Sequence, residues 1–163
     1  MKSKIITILL YSLLISSCQT SMLKKLPKFS FKTIEGENIN SDSIKGDATV
    51  ICVWATWCGD CIREIPELND LSSKYAGNDR VNFIALSDED ESTVQKSLSR
   101  FPFNFKHVVN SKSYSDQLIS GVTKHFPQVI VVNGDLNVVF EVTENKSKIF
   151  EVLDSHIIEI INY

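Results

Sequence analysis

Cys58 and Cys61 are the two residues whose type and spacing best suit chemistry. They close the segment WATWCGDC, in which an apolar run passes into an amphipathic one. Cysteines at positions i and i+3 of a first helical turn can form a disulfide. Free N–H groups and the positive end of the helix dipole stabilise a thiolate there, so Cys58 is predicted to have a lowered pKa and to act as a nucleophile. Cys61 is then the resolving thiol, which displaces a reduced substrate from a mixed disulfide.

Hydrophobic periodicity indicates the elements that must position this pair. Residues Ala48–Trp54 form a continuous apolar run of strand length, typical of a strand buried on both faces. Apolar residues recur every three or four positions over Asp60–Tyr75, which predicts a helix with Cys61 on its buried face. Residues Val81–Leu86 read as a second buried strand.

The remainder of the chain continues the alternation of strands and helices. A small hairpin is expected around Phe29–Lys32 and Ile39, with turn residues between them. Further elements are predicted as a helix at Glu91–Arg100, a strand at Lys106–Val109, a hairpin of Val129–Val132 and Val138–Val142, and a helix at Lys146–Ile161. This order predicts an α/β sandwich with a mixed central β-sheet flanked by helices.

Composition bounds the class of protein and its partners. The chain has 163 residues and 43% hydrophobic content, enough for one domain with a sizeable core. A net charge of −3 gives no basic field for binding nucleic acid. We expect a monomer. His107, His125 and His156 show no metal-ligand spacing, and the sequence has no Gly-rich phosphate loop. We therefore predict neither a metal nor a cofactor.

The first residues have the pattern of an export signal. Lys2 and Lys4 precede an apolar run over residues 5–15 that is too short to span a bilayer. The segment ending at Cys18 resembles the lipobox of bacterial lipoproteins, in which the cysteine carries the lipid. We predict a lipoprotein signal peptide at residues 1–17, a tether at 18–28 and one domain at 29–163. The alternative is an ordinary signal peptide with an incidental cysteine.

The ordered landmarks from about residue 26 to the end resemble the thioredoxin superfamily, and within it the TlpA/ResA-like extracytoplasmic thiol-disulfide oxidoreductases. The WATWCxxC motif carries this resemblance, together with Pro66 eight residues after Cys58 and a late Phe126-Pro127. The resemblance implies a thioredoxin-like sandwich with an N-terminal β-hairpin and a central βα insert. It also implies a cis bond before Pro127 and substrate contacts from Trp57, Phe126 and Pro127, with Phe126 bulkier than the residue usual there.

Three residues near the motif leave alternatives open. Glu64 matches a glutamate that the family uses near its cysteines, which implies proton transfer with Cys61; the alternative is a solvated surface residue. Asp60 either disfavours the Cys58 thiolate or makes a favourable contact with the helix dipole. Cys52 stands where thioredoxin has a buried aspartate, and is either a small buried residue or a third redox thiol that traps Cys61.

The expected function is that of an exported, membrane-anchored thiol-disulfide oxidoreductase facing the periplasm or the cell exterior. It would reduce disulfides of exported proteins or apocytochromes with electrons from a membrane thiol donor. The alternatives are a disulfide oxidase or isomerase, a peroxiredoxin-like peroxide reductase, and a non-catalytic binding module on the same scaffold. The Trp-flanked cysteine pair disfavours the peroxide reductase, whose site needs a lone cysteine with a hydroxyl and an arginine.

Overall fold

A computed structural model of the chain describes residues 24–44, 48–119, 125–143 and 148–162. Its elements follow one another as β1 (Ser30–Lys32), β2 (Asn38–Asn40), β3 (Ala48–Val53), α1 (Gly59–Lys74), β4 (Val81–Leu86), α2 (Glu91–Leu98), β5 (Lys106–Val108), α3 (Lys112–Leu118), β6 (Gln128–Val132), β7 (Val138–Val142) and α4 (Ile149–Ile161).

The central sheet has five strands in the order β5-β4-β3-β6-β7, and β1 pairs with β2 in a separate hairpin. Strands β3, β4 and β5 are parallel, whereas β6 runs antiparallel to β3 and to β7. All six residues of β3 are buried. This explains its continuous apolar run, because a central strand packed on both faces has no solvent side to alternate with.

Two hydrophobic cores lie on opposite faces of the sheet. The core on one face contains Cys61, Leu68 and Leu71 of α1 with Leu153 and Ile157 of α4. The core on the other face joins α3 and the β1–β2 hairpin to the sheet. The mixed sheet flanked by helices confirms the predicted α/β class, and β5 with α3 supplies the additional βα unit before the β6–β7 hairpin.

The structure departs from the sequence-based elements in several details. Helix α3 was not predicted, because its sequence KSYSDQL is short and polar; Tyr114 and Leu118 nevertheless bury against the second core. Helix α2 ends at Leu98 rather than Arg100, and β3 ends one residue earlier than predicted. The predicted start of α4 at Lys146 lies outside the described residues, and the described helix begins at Ile149.

Residues 24–28 of the predicted tether pack against the domain. Lys25 forms an isolated bridge with Asn137, and the Leu26 N–H donates to the Leu136 carbonyl at 2.9 Å. Leu26 itself is buried. The packed part of the described chain therefore includes residues 24–28.

The predicted signal peptide and the predicted lipid attachment site at Cys18 lie outside the described residues. Within the four described ranges, no helix is both long enough and apolar enough to cross a membrane.

Helix α4 is tied to α1 by Asp154. Its carboxylate accepts hydrogen bonds from Lys74 Nζ at 2.6 and 2.7 Å and from the Tyr75 hydroxyl at 2.7 Å. Burial raises the pKa of Asp154, but these two donors outweigh it and place that pKa below the usual carboxyl range. The bridge therefore stabilises the fold at every pH at which Asp154 is ionised, and this stabilisation is lost as the pH falls through the lowered pKa.

We predict that Asp154→Ala lowers the free energy of unfolding by about 2 kcal/mol at pH 7, because it leaves Tyr75 and Lys74 without their common acceptor. Urea unfolding measures this loss. Glu151→Ala, an exposed acidic residue of the same helix, is the control and should change stability by no more than about 0.5 kcal/mol. Equal losses in the two variants would contradict the assigned role of the bridge.

Candidate active site

Cys58 is the N-cap of α1, and its side chain performs the capping. The Cys61 N–H donates to Cys58 Sγ at 3.1 Å, while the Cys58 N–H donates to the Ala55 carbonyl at 3.1 Å. Capping side chains accept the otherwise unpaired N–H groups of a first helical turn. A sulfur in this position lies against the positive end of the helix, which favours its ionised form.

Cys58 and Cys61 are joined by a disulfide, with their Cα atoms 5.3 Å apart. Cys61 lies on the buried face of α1, as the helical periodicity predicts. Trp57, the residue before Cys58, is 71% exposed, whereas Cys58 is 6% exposed. The pair therefore lies at the boundary between the core and the surface, with Cys58 next to the exposed side.

Asp60 lies in the first turn of α1 and forms an ion pair with Arg63, and both side chains are exposed. An acidic residue in the first turn interacts favourably with the helix dipole. Because its charge is paired and solvated, its repulsion of a Cys58 thiolate is weakened.

Glu64 is buried rather than solvated, being only 5% exposed. Its Oε1 has no hydrogen-bond partner among the described residues. Burial raises the pKa of Glu64 to about 7; the Glu67 carboxylate raises it further and Arg63 opposes the shift. Since Glu64 lies three positions after Cys61, the two side chains are neighbours on one side of the helix.

Cys52 lies in the middle of β3 and is the free cysteine of the described residues. It pairs with Ala85 in β4 and with Val129 in β6, and it is 1% exposed. Burial, with a further contribution from the Glu64 carboxylate, raises the pKa of the Cys52 thiol far above its ordinary value. Cys52 is therefore a neutral thiol in the folded protein. Thioredoxin, which the chain resembles, has an aspartate at the corresponding position.

The Phe126–Pro127 peptide bond is cis, as the resemblance implies. The register of β6 on β3 pairs Gln128 with Val53, so the Pro127 loop lies where β3 passes into the cysteine segment. The rings of Trp57 and Phe126 pack edge to face, with centroids 5.6 Å apart and planes at 83°. The structure thus brings together the three residues to which the resemblance assigns substrate contacts.

Glu89, which the sequence analysis did not single out, contacts the segment that leads to Cys58. Its carboxylate accepts the Thr56 N–H at 2.7 Å and the Thr56 hydroxyl at 2.6 Å. The sequence does carry a signal for this contact: polar residues directly follow β4, and β4 ends at the same edge of the sheet as β3, where the cysteine segment begins.

His107 and His156 lie in separate parts of the fold. His107 is buried; burial lowers its pKa although a hydrogen bond with the Phe103 carbonyl opposes the shift. His156 stacks on Phe140. In the described part of the chain, no group of three or more His, Cys, Asp or Glu side chains could hold a metal ion.

Comparison with known sequences identifies related proteins. Residues 22–140 match the model of the AhpC/TSA family. Over 88 residues the chain is 34% identical to "Thiol-disulfide oxidoreductase ResA" of a Bacillus cereus strain, covering 53% of this chain and 50% of the relative. Over 93 residues it is 28% identical to "Thioredoxin-like protein YneN" of Bacillus subtilis (strain 168), covering 55% and 54%. The match thus spans about half the length of these curated relatives.

Solved structures share the fold at low sequence identity. A putative thiol:disulfide interchange protein DsbE from Chlorobium tepidum aligns with a TM-score of 0.72 and 21% identity, covering 85% of this chain and 96% of that one. A putative protein disulfide isomerase from Bacteroides thetaiotaomicron aligns with a TM-score of 0.73 and 16% identity, covering 86% and 89%. These similarities confirm the predicted thioredoxin-like fold.

The burial of Cys52 predicts its reactivity. In the oxidised, folded protein, iodoacetamide should leave Cys52 unmodified until denaturant is added, because a neutral buried thiol reacts slowly. Peptide mass spectrometry after mild oxidation should find the Cys58–Cys61 bridge and no bridge to Cys52, with Cys52→Ala as the control. A Cys52–Cys61 bridge would instead support the third redox thiol.

Proposed function

The chain belongs to the AhpC/TSA family, and from this premise we propose that it is a thiol-disulfide oxidoreductase acting through Cys58 and Cys61. The observation that carries the proposal is the position of the cysteine pair: Cys58 Sγ caps α1 and is bonded to the buried Cys61. The relatives named as thiol-disulfide oxidoreductases support the same activity.

Reduction of a substrate would proceed in two exchanges. The Cys58 thiolate attacks one sulfur of the substrate disulfide, and the other substrate sulfur leaves as a thiolate that takes up a proton. Cys61, once deprotonated, attacks Cys58 Sγ and releases the second substrate sulfur. The substrate gains two electrons and two protons, and the protein is left with the Cys58–Cys61 disulfide. A dithiol donor must reverse these steps before the next turnover.

Glu64 is proposed as the proton acceptor for Cys61. A buried carboxyl group with a pKa of about 7 can exchange protons near neutral pH, which an ordinary carboxylate cannot do efficiently. Its position one helical turn from Cys61 supports this role. The neutral Cys52 thiol, which replaces the aspartate of thioredoxin, cannot supply a carboxylate from β3.

Trp57, Phe126 and Pro127 are proposed to contact the substrate. The aromatic pair lies beside Cys58, and the backbone next to Pro127 offers hydrogen-bonding groups to an extended peptide. Because the Trp57 and Phe126 rings pack edge to face next to the cysteine segment, a substrate disulfide that reaches Cys58 would pass beside this aromatic pair. Such a site favours unfolded or extended protein segments with apolar side chains near the disulfide.

The physiological setting is proposed from the sequence. The signal-like residues 1–17 and Cys18 would place the protein outside the cytoplasm on a lipid anchor, where disulfides form. The proposed substrates are disulfides of exported proteins or apocytochromes, and the proposed electron donor is a membrane thiol protein. We propose a monomer, since each step needs the residues of one chain.

The activity can be tested by insulin reduction with dithiothreitol as the electron donor. The purified protein should accelerate the reaction, Cys58→Ser should abolish the acceleration, and Cys61→Ser should accumulate mixed disulfides. Cys52→Ala is the matched control and should retain activity. Cys58→Ser with undiminished activity would contradict the proposal, and efficient peroxide consumption in place of insulin reduction would favour the peroxide reductase.

Glu64→Gln tests the proton acceptor. It should lower the rate of the resolving step at pH 8 on the order of 10- to 100-fold and remove the part of the pH profile that rises near pH 7, since the amide cannot accept the Cys61 proton. Rapid-mixing kinetics on a mixed disulfide measure this step. Asp70→Asn is the control, because Asp70 is an exposed residue of α1 and the substitution likewise replaces a carboxyl group by an amide.

The same variant has an expected stability signature. Because the pKa of Glu64 is raised from 4.5 to about 7, the folded protein binds more protons than the unfolded chain between these values. Its stability should therefore fall as the pH rises through that window, by up to about 3 kcal/mol. Glu64→Gln should be as stable as the parent near pH 4.5 and more stable at pH 8. Identical pH dependence in the two proteins would contradict the assignment.

A further inference from the structure

Glu89 and Thr56 form a two-point contact that joins distant parts of the chain. The two carboxylate oxygens accept separate hydrogen bonds from Thr56, one from its backbone N–H at 2.7 Å and one from its hydroxyl at 2.6 Å. The Ser87 hydroxyl donates to the same carboxylate at 3.2 Å. Charge-assisted bonds of this kind are short and geometrically specific. The contact therefore fixes both the main chain and the side chain of Thr56.

Thr56 belongs to the segment that delivers the nucleophile. It lies between Ala55, whose carbonyl accepts the Cys58 N–H at 3.1 Å, and Trp57. The Trp54 N–H still donates to the Leu86 carbonyl of β4 at 3.0 Å, but residues 55–58 lie between the end of β3 at Val53 and the start of α1 at Gly59 and belong to neither element. The described contacts that hold Thr56 itself in place are those with Glu89.

Glu89 is itself held by the sheet. The Ser87 N–H donates to the Val108 carbonyl at 2.9 Å, and the Asn110 N–H donates to the Glu89 carbonyl at 2.9 Å. The Ser111 hydroxyl also donates to the Ser87 carbonyl at 2.9 Å. The loops after β4 and β5 thus form a fixed base at the edge of the sheet where the cysteine segment begins.

We propose that Glu89 is a positioning residue for thiol-disulfide exchange: by clamping Thr56 it holds the turn that presents Cys58 Sγ at the start of α1. The inference rests on the proposed function, because positioning matters only if Cys58 reacts with substrate. Glu89 touches neither the reacting sulfurs nor the substrate, and acts through Thr56. Without the clamp, the segment before Cys58 would have to be ordered each time Cys58 attacks a substrate, and this entropic cost would slow the reaction.

Two physical effects of Glu89 on Cys58 have opposite signs, and this makes the inference testable. As a negative charge, Glu89 would raise the Cys58 pKa, so its removal would lower that pKa. As a clamp, Glu89 keeps Cys58 Sγ against the Cys61 N–H, so its removal would raise the pKa. The direction of the change in Glu89→Ala therefore separates positioning from a through-space charge effect.

The experiment measures the rate of Cys58 alkylation by iodoacetamide against pH in the reduced protein, together with insulin reduction. We expect Glu89→Ala to raise the Cys58 pKa and to slow insulin reduction about tenfold. Glu89→Gln, which can accept the Thr56 N–H and donate to the hydroxyl oxygen, should stay within about threefold of the parent. Glu91→Ala, an exposed glutamate substitution at the start of α2, is the control and should change neither readout.

Thr56→Val keeps the test decisive if Glu89→Ala does not fold. It removes the hydroxyl donor but retains the backbone N–H and the shape, and we expect about a threefold loss of exchange rate that Thr56→Ser does not show. The double variant Glu89→Ala/Thr56→Val should be no slower than Glu89→Ala alone, since both remove one contact.

A lowered Cys58 pKa in Glu89→Ala, parent rates in both Glu89→Ala and Thr56→Val, or additive losses in the double variant would overturn the clamp. Alkylation reports on Cys58 without any substrate. A parent protein that fails to reduce insulin would contradict the proposed function, while the alkylation profiles would still decide whether Glu89 positions Cys58.

Discussion

The hydrogen bond from the Cys61 N–H to Cys58 Sγ is the interaction on which the site depends. It makes a sulfur the cap of α1, in a position where helices usually carry a hydroxyl or carboxylate oxygen. Burial of Cys58 opposes its ionisation, whereas the free N–H groups and the dipole of the helix favour it. The chemistry requires that the second effect exceed the first. The packing of β3, α1 and the loops around them serves to keep the sulfur at that helix end.

Burial separates the roles of the acidic residues near the cysteines. Glu64 is enclosed beside the core, which shifts its pKa to about 7 and suits it to proton exchange. Glu89 is half-buried and hydrogen-bonded to Thr56, which suits it to holding a backbone segment. Asp60 is exposed and paired with Arg63, so its field at Cys58 is weak. With an uncharged Cys52 in β3, the proposed proton acceptor lies on the helix rather than on the strand.

The parts of this arrangement that sequence reasoning predicted are those set by local pattern. The buried strand β3 follows from a continuous apolar run, and the inward direction of Cys61 and the helix after it follow from a period of 3.6 residues. The motif at their junction indicates the chemistry. The cis bond before Pro127 was available only through the family resemblance. Helix α3 was missed because its short polar sequence has no period of its own and depends on Tyr114 and Leu118 packing into the core.

Contacts made by tertiary structure account for the rest. Thr56 and Glu89 are 33 residues apart and meet because β3 and β4 run in parallel, so that the loops at their ends lie together. The burial of Glu64 depends on what packs over one face of α1, which helical spacing alone does not determine. Glu64 and Glu89 are both acidic residues, and nothing in the hydrophobic pattern of the sequence indicates that either is partly or fully buried.

Titration of the Cys58 thiol in the reduced protein, followed by thiolate absorbance at 240 nm in a Cys52→Ala background, tests the central claim most directly. The account predicts a Cys58 pKa at least one unit below the ordinary cysteine value of about 8.5, with Cys61 ionising at higher pH. A Cys58 pKa at or above about 8.5 would show that burial outweighs the helix terminus, and would contradict the account.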